Sequence, residues 1–200
     1  REIRTRLLGI SEDEYRAELC SGQLSELGAS GKSGAFLFIS SSGKFVVKTV
    51  TAAECQVLRR MLPRYHQHLI ARPDSLLTRF LGLYRMMEGP ARQDSRFVIM
   101  RNAFPPGRVI HEKYDLKGST VGRRVIESGT FVRAGELGSL VLKDLDLRRS
   151  RKKIKLGRQK KYEVLQTLNA DCEFLKSFDI VDYSLLLGVH YINDVGDPPC

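Results

Sequence analysis

His111-Glu112-Lys113-Tyr114-Asp115-Leu116-Lys117-Gly118-Ser119-Thr120-Val121-Gly122 is the stretch whose reading decides how this chain of 200 residues is organised. Charged side chains sit here among apolar and aromatic ones. Asp115, Lys117 and Ser119 fall at every second position, so an extended backbone places them on one face. Gly118 lets the chain approach a ligand closely, and Ser119 and Thr120 add hydroxyls. These are residue types that hold a phosphate. The same string also reads as a polar edge strand running into a turn, and both readings stay open from this stretch alone.

A second phosphate-friendly feature lies upstream. Ser25 to Gly34 reads as a small-residue loop, followed by the apolar run Ala35–Ile39, the turn Ser41-Ser42-Gly43 and the run Lys44–Val50. Two strand-like runs about a short glycine-containing turn predict a hairpin. Gly31-Lys32-Ser33-Gly34 is not a Walker A loop, because Glu26 stands where that motif needs glycine and a hairpin follows where it needs a helix. A glycine-rich loop leading into a hairpin is instead how kinases cover ATP phosphates. Lys48, amid Phe45, Val46, Val47 and Val50, is then a candidate phosphate-binding lysine rather than a solvated one.

The surrounding elements follow from caps and periodicity. Ser11-Glu12-Asp13-Glu14 and Thr51-Ala52-Ala53-Glu54 are capping boxes that open helices, the first ending near Gly22 and the second ended or kinked at Pro63. Glu54 either only caps its helix or also pairs with Lys48. Leu76–Met87 and Arg96–Met100 read as strands joined by the polar turn Glu88–Ser95. Five strands with one helix predict an α+β fold with an antiparallel, kinase-like small lobe. Lys161–Phe178 reads as a helix with Val164, Leu165, Leu168, Cys172 and Leu175 as its core stripe.

Composition bounds the function. Hydrophobic residues at 42% and charged residues at 28% suit a soluble fold. No apolar run reaches the roughly 18 residues of a membrane span, and no signal peptide is visible. Cys20, Cys55, Cys172 and Cys200 lie far apart without a C-x-x-C pair, which predicts buried, reduced thiols in a cytosolic protein and not a disulfide or zinc framework. His66, His68, His111 and His190 have no metal-ligand spacing, and His66 and His68 read as surface residues. A net charge of +10 implies an anionic partner. Arg148–Lys161 carries much of it, with no acid in the run. That run reads as a nucleic-acid patch, a nuclear localisation signal or a surface for anionic lipid. The start at Arg1 and the end at Pro198-Pro199-Cys200 suggest an excised piece.

Six motifs in order then carry a resemblance. Gly31–Gly34, Phe45-Val46-Val47-Lys48-Thr49, Phe80-Leu81-Gly82-Leu83-Tyr84, Lys113–Thr120, Leu142-Lys143-Asp144-Leu145-Asp146 and Val181-Asp182-Tyr183-Ser184-Leu185-Leu186 resemble the phosphatidylinositol phosphate kinase family from about Ile10 to His190. The resemblance implies a small lobe over about residues 1–101, and a hinge with the start of a C-terminal lobe over about 102–200. It implies that Gly31, Lys32, Ser33 and Gly34 cover the ATP phosphates, that Lys48 contacts them, and that Met100, Arg101 and Asn102 form the hinge, with Phe104 on the adenine. Asp115 and Lys117 would serve the nucleotide, Lys117 reaching its phosphates, and Asp182 would be the catalytic carboxylate that takes the inositol hydroxyl proton. Asp179 competes for that role without the Tyr-Ser-Leu-Leu context.

The family's magnesium-binding Ile-Ile-Asp motif and its specificity loop would lie beyond Cys200, so the metal ligand has no match here and this piece alone is expected to be inactive. ATP and magnesium are the implied cofactors. A phosphoinositide, an anionic membrane facing Arg148, Arg149, Arg151, Lys152, Lys153 and Lys155, and a second copy in a homodimer are the implied partners, with no specific nucleic acid. The expected setting is the cytoplasm, peripheral at the cytosolic face of membranes, the plasma membrane foremost. The reaction implied is phosphatidylinositol 4-phosphate to the 4,5-bisphosphate. Alternatives left open are a 4-kinase acting on the 5-phosphate, a catalytically silent scaffold for acidic lipid, and a nucleic-acid-binding module.

Overall fold

Two hairpin-forming runs and a capped helix build the first part of the chain much as their sequence dictates. The computed structural model describes residues 1–30, 35–88, 93–104, 106–127, 130 and 137–192. Its α+β architecture divides into two units. One comprises Arg1–Ala103 with Tyr162–Asp179, the other Phe104–Lys161 with Ile180–Cys200. The helix expected in a second lobe is thus part of the first unit.

The first unit begins with a π-helical turn, Ile3–Leu7, and α1, Glu12–Arg16, which continues as a π-helical turn over Ala17–Ser21 before Gly22. The Glu14 N–H donates to Ser11 Oγ at 3.0 Å, as its cap predicts. Strands β1 (Leu24–Ser30), β2 (Ala35–Ser40), β3 (Phe45–Thr49), β4 (Phe80–Glu88) and β5 (Gln93–Arg101) form an antiparallel sheet in the order β1-β2-β3-β5-β4. The segment read as a loop from Ser25 is therefore mostly strand, since Leu24 to Ser30 pair with Ser40 to Ala35 across a register shift between Glu26 and Gly28. Small residues weaken a strand but do not forbid it when a neighbour completes its ladder. Likewise β4 starts at Phe80, not Leu76.

Ile10, Tyr15, Phe45, Val47, Leu81 and Ile99 make one buried cluster on the sheet. Arg4, itself buried, stacks over the Tyr15 ring at 4.1 Å and meets Glu12 Oε1 and Oε2 at 2.9 and 3.0 Å.

Helix α2, Ala52–Ala71, opens on the expected reciprocal cap. Thr51 N–H donates to Glu54 Oε2 at 2.7 Å, and Glu54 N–H to Thr51 Oγ1 at 3.2 Å. Pro63 does not end it. Proline deprives the Arg59 carbonyl of its helical donor, a penalty of about 3 kcal/mol. However, Arg59 is exposed, and Met61, Tyr65 and Leu69 bury one face on both sides of the proline. At roughly 1.5–3 kcal/mol for each large buried side chain, that packing outweighs the penalty.

Helix α4, Gly157–Lys176, buries Thr167, Asp171 and Phe174 most deeply; of the predicted stripe Val164, Leu168, Cys172 and Leu175 are half-buried and Leu165 is exposed. Asp171 is a hub at the centre of the buried face. It accepts from Ser75 Oγ at 2.8 Å and from the Leu76 N–H at 2.6 Å, and its Oδ1 lies 2.7 Å from His68 Nε2. His68 is accordingly a largely buried, bonded residue and not a surface histidine.

In the second unit β6 (Glu112–Leu116) lies between β7 (Val141–Leu142, parallel) and β8 (Leu185–Val189, antiparallel). It is a central strand, which removes the edge-strand reading. A short helix, α3 (Asp144–Ser150), follows β7. No helix among the described residues is long and apolar enough to cross a membrane.

Candidate functional site

In the first unit, the period of two along β3 buries Phe45 and Val47 and sends Val46 and Lys48 to the opposite face. Lys48 Nζ lies 3.9 Å from Glu54 Oε1, so the carboxylate that caps α2 also reaches the lysine. Burial pushes the Glu54 carboxyl up, but its bonds to Thr51 and the nearby Lys48 outweigh this and hold it below the ordinary range. Met100 sits in β5 opposite Val46 and Phe80. Asn102 follows the strand, donating from Nδ2 to the Gly43 carbonyl and from its backbone N–H to the Lys44 carbonyl, each at 2.8 Å. The connection expected to be a hinge is thus tied to the β2–β3 turn. Gly31, Lys32, Ser33 and Gly34 lie outside the described residues.

In the second unit, β6 buries Glu112 and Tyr114 and turns Lys113 and Asp115 the other way. The extended run stops at Leu116. Gly118 adopts φ +69°, a conformation that favours glycine, so Ser119 and Thr120 do not continue the face begun by Asp115. Lys117 is left at the strand end, and its ammonium meets Asp182 twice, at 2.8 Å from Oδ2 and 2.9 Å from the carbonyl oxygen. Asp182 is itself left-handed, φ +57°, which Asp tolerates better than most residues. Its side chain is 78% exposed. The Lys117 ammonium, bonding and attracting the carboxylate, holds its pKa below the ordinary 3.8. An ionised, solvent-facing carboxylate with one cation fixed beside it is equipped to accept a proton from an incoming hydroxyl.

Asp115 has a different occupation. Arg123 bonds to its carbonyl oxygen and, at 2.9 Å, to its Oδ1. Arg123 Nε also meets Asp144 Oδ2 at 2.8 Å. Asp115 therefore faces a guanidinium within its own unit. Phe104 lies against Gly188 of β8, so close that a Cβ there would stand 2.9 Å from the ring. Asp179 closes α4 in a left-handed conformation, its N–H donating to the Lys176 carbonyl at 3.0 Å, and does not join Lys117.

Sequence reasoning missed what the Leu142–Asp146 motif does. Asp144 accepts the N–H groups of Lys117 and Gly118, at 3.1 and 2.8 Å. Asp146, buried, accepts those of Val125, Ile126 and Lys143 at 3.0, 3.1 and 3.0 Å. The signal available was two aspartates spaced two apart, one residue beyond the apolar pair Val141-Leu142.

Of the basic run, Arg148, Arg149, Arg151, Lys153 and Lys155 are exposed, with Ile154 and Leu156 exposed among them. Arg149 donates to the Glu127 carbonyl at 3.1 Å. Lys152, expected to face a membrane with its neighbours, instead sends its ammonium to the carboxylate of Glu112 and to Tyr191 Oη. Among the described residues no three His, Cys, Asp or Glu side chains gather into a metal site. Cys20, Cys55 and Cys172 are free thiols, but Cys20 is exposed and the other two only half-buried, where buried thiols were expected.

A family model described as phosphatidylinositol-4-phosphate 5-kinase matches residues 18–197. The chain belongs to this family of phosphatidylinositol phosphate kinases. A probable phosphatidylinositol phosphate kinase of Dictyostelium discoideum is 42% identical over 199 residues, covering 96% of this chain and 27% of the relative. Human phosphatidylinositol 4-phosphate 5-kinase type-1 beta is 38% identical over 188 residues, covering 94% and 34%. Phosphatidylinositol 4-phosphate 5-kinase 7 of Arabidopsis thaliana is 38% identical over 197 residues, covering 93% and 24%. The chain thus spans about a quarter to a third of the length of these relatives. The six motifs and the α+β fold place it in the family that the sequence resembled.

Proposed function

We propose that this chain is the nucleotide- and hydroxyl-activating part of a lipid kinase that moves the γ-phosphoryl of ATP to phosphatidylinositol 4-phosphate, giving the 4,5-bisphosphate. The observation that carries the reading is the Lys117–Asp182 pair at 2.8 Å, set on a family-specific scaffold. Asp182 takes the proton of the attacking inositol hydroxyl as its oxygen bonds to the γ-phosphorus. The bond from that phosphorus to the β,γ-bridging oxygen breaks, and ADP leaves with its electron pair. Lys117, whose ammonium holds Asp182 ionised, offsets negative charge on the transferring group. Lys48, beside Glu54, is proposed to hold ATP phosphates, with Gly31, Lys32, Ser33 and Gly34 proposed for the same ligand, and Met100, Asn102 and Phe104 are proposed for the adenine. Catalysis of this kind rests on position and charge, so a fixed lysine–carboxylate pair is appropriate equipment.

A divalent metal bound with ATP would supply further charge neutralisation. The carboxylates described here are largely committed: Asp144 to Arg123 and two N–H groups, Asp115 to Arg123. Asp182, 78% exposed, is the carboxylate of this site that could face such an ion.

Arg148, Arg149, Arg151, Lys153 and Lys155 are proposed to meet an anionic membrane, each worth about 1 kcal/mol near the surface. The 5-kinase reading is favoured over the 4-kinase alternative by the names of the human and Arabidopsis relatives. The experiment is labelled-phosphate transfer by the full-length protein to vesicles containing either phosphatidylinositol 4-phosphate or the 5-phosphate. Product from the 4-phosphate supports the reading, product from the 5-phosphate alone moves it to the 4-kinase branch, and product from neither rejects the enzyme.

A further inference from the structure

The turn that presents Lys117 is held from outside β6 by a single carboxylate. Asp144 accepts the consecutive N–H groups of Lys117 and Gly118, 3.1 and 2.8 Å away, and bonds to Arg123 Nε at 2.8 Å. Arg123 in turn grips the carbonyl and carboxylate of Asp115, two residues before Lys117. The side chains of Asp144 and Arg123 are each only 11% exposed. Burial pushes the Asp144 carboxyl up, but Arg123 and the two N–H groups outweigh it and keep it below the ordinary range. The β6 ladder ends at Leu116, where it pairs with Leu185, and Gly118 is left-handed. Rotation of the peptide between Lys117 and Gly118 would therefore swing the ammonium away from Asp182, and the bonds to Asp144 oppose that rotation.

We propose that Asp144 is a positioning residue of the phosphoryl-transfer site, fixing the Lys117–Gly118 turn so that the Lys117 ammonium stays on Asp182. The proposal rests on the kinase reading above for its effect on turnover, but its geometric content stands apart from it. Asp146 is a built-in comparison. It is also buried on α3 and also accepts backbone N–H groups, but those belong to Val125, Ile126 and Lys143 and not to the Lys117 turn. Replacing Asp144 by Asn keeps the volume but sets an amide N–H against either Arg123 Nε or the two turn N–H groups, so one of the two anchors is lost and the turn is loosened.

The test compares Asp144→Asn and Asp146→Asn in the full-length protein. The titration of Asp182 is read by carbon NMR of labelled aspartate, its signal assigned by its loss in Asp182→Asn. Lys117 and Arg123 are the charged groups that lower this carboxyl, so a displaced Lys117 must raise its titration midpoint. Asp144→Asn is expected to raise the midpoint and to lower kcat about 10- to 100-fold, the scale of an ångström-sized misplacement. Asp146→Asn is expected to leave the midpoint at the wild-type value. An unmoved midpoint in Asp144→Asn, or an equal rise in both variants, overturns the proposal. Should Asp144→Asn fail to fold, Asp144→Glu, which keeps the charge but shifts the carboxylate by one methylene from the two N–H groups, must raise the midpoint as well; no rise overturns the proposal. A raised midpoint in a protein that phosphorylates no phosphoinositide retains the positioning role and rejects the kinase reading.

Discussion

Lys117 Nζ stands 2.8 Å from Asp182 Oδ2 and 2.9 Å from the carbonyl oxygen of the same residue, although 65 positions separate them in the chain. The lysine comes from the end of β6 and the aspartate from a left-handed residue just before β8, the strand that pairs with β6. Strand pairing thus brings the two together, and Gly118 and Asp144 set the final direction. Lys117→Met should lower kcat about 10²- to 10³-fold, the range for losing one preorganised charge-stabilising donor. It should also move the acid limb of the pH–rate profile upward, because the cation that depresses Asp182 is gone. Initial rates across pH check both.

Glu112 is buried beneath Lys152, with Tyr114 Oη and Tyr191 Oη each 2.7 Å from its carboxylate. Burial raises its pKa, but Lys152 and the two tyrosines outweigh that and bring it below 4.5. A carboxyl depressed in the folded state stabilises fully above its unfolded value and loses that contribution as pH falls toward the folded value. Glu112→Gln should therefore cost about 1–3 kcal/mol at neutral pH. The gap from wild type should narrow below pH 4.5, as denaturant titrations across that range would reveal.

Asp171 joins α4 to α2 and to the start of the Leu76 segment through His68, Ser75 and the Leu76 N–H. Removing the acceptor leaves buried donors without a partner. Asp171→Ala should destabilise by about 2–4 kcal/mol, with Asp171→Asn losing less. Urea unfolding midpoints at neutral pH measure the difference.

Pro63 is tolerated in α2 rather than used there. Pro63→Ala restores a donor for the Arg59 carbonyl and removes a ring from the helix interior, at the expense of a freer unfolded chain. A net gain of about 1–2 kcal/mol is expected, read as a rise in Tm with activity unchanged.

These particulars show where the sequence was legible. The caps at Ser11 and Thr51, the β2–β3 hairpin and the Lys48–Glu54 approach follow from local patterns, because each is settled within a few residues. Lys117 and Asp182 were each singled out through family motifs, but their direct pairing was not, since nothing local joins positions that far apart. The Asp144 and Asp171 hubs escaped because an aspartate that gathers backbone N–H groups looks, in sequence, like any polar residue near a helix. The aliphatic stripe on α4 is half-buried apart from Leu165, while the most buried positions include Asp171, whose three partners the aliphatic periodicity could not reveal.

The central claim is that Asp182 accepts the proton of the lipid hydroxyl. Its most direct test is the rate of phosphoryl transfer to phosphatidylinositol 4-phosphate vesicles by full-length wild type and Asp182→Asn, with nucleotide binding measured on both. The asparagine keeps the shape and the carbonyl contact to Lys117 but cannot take a proton, so kcat should fall about 10²- to 10⁴-fold while ATP still binds. Transfer by Asp182→Asn at the wild-type rate would contradict the account.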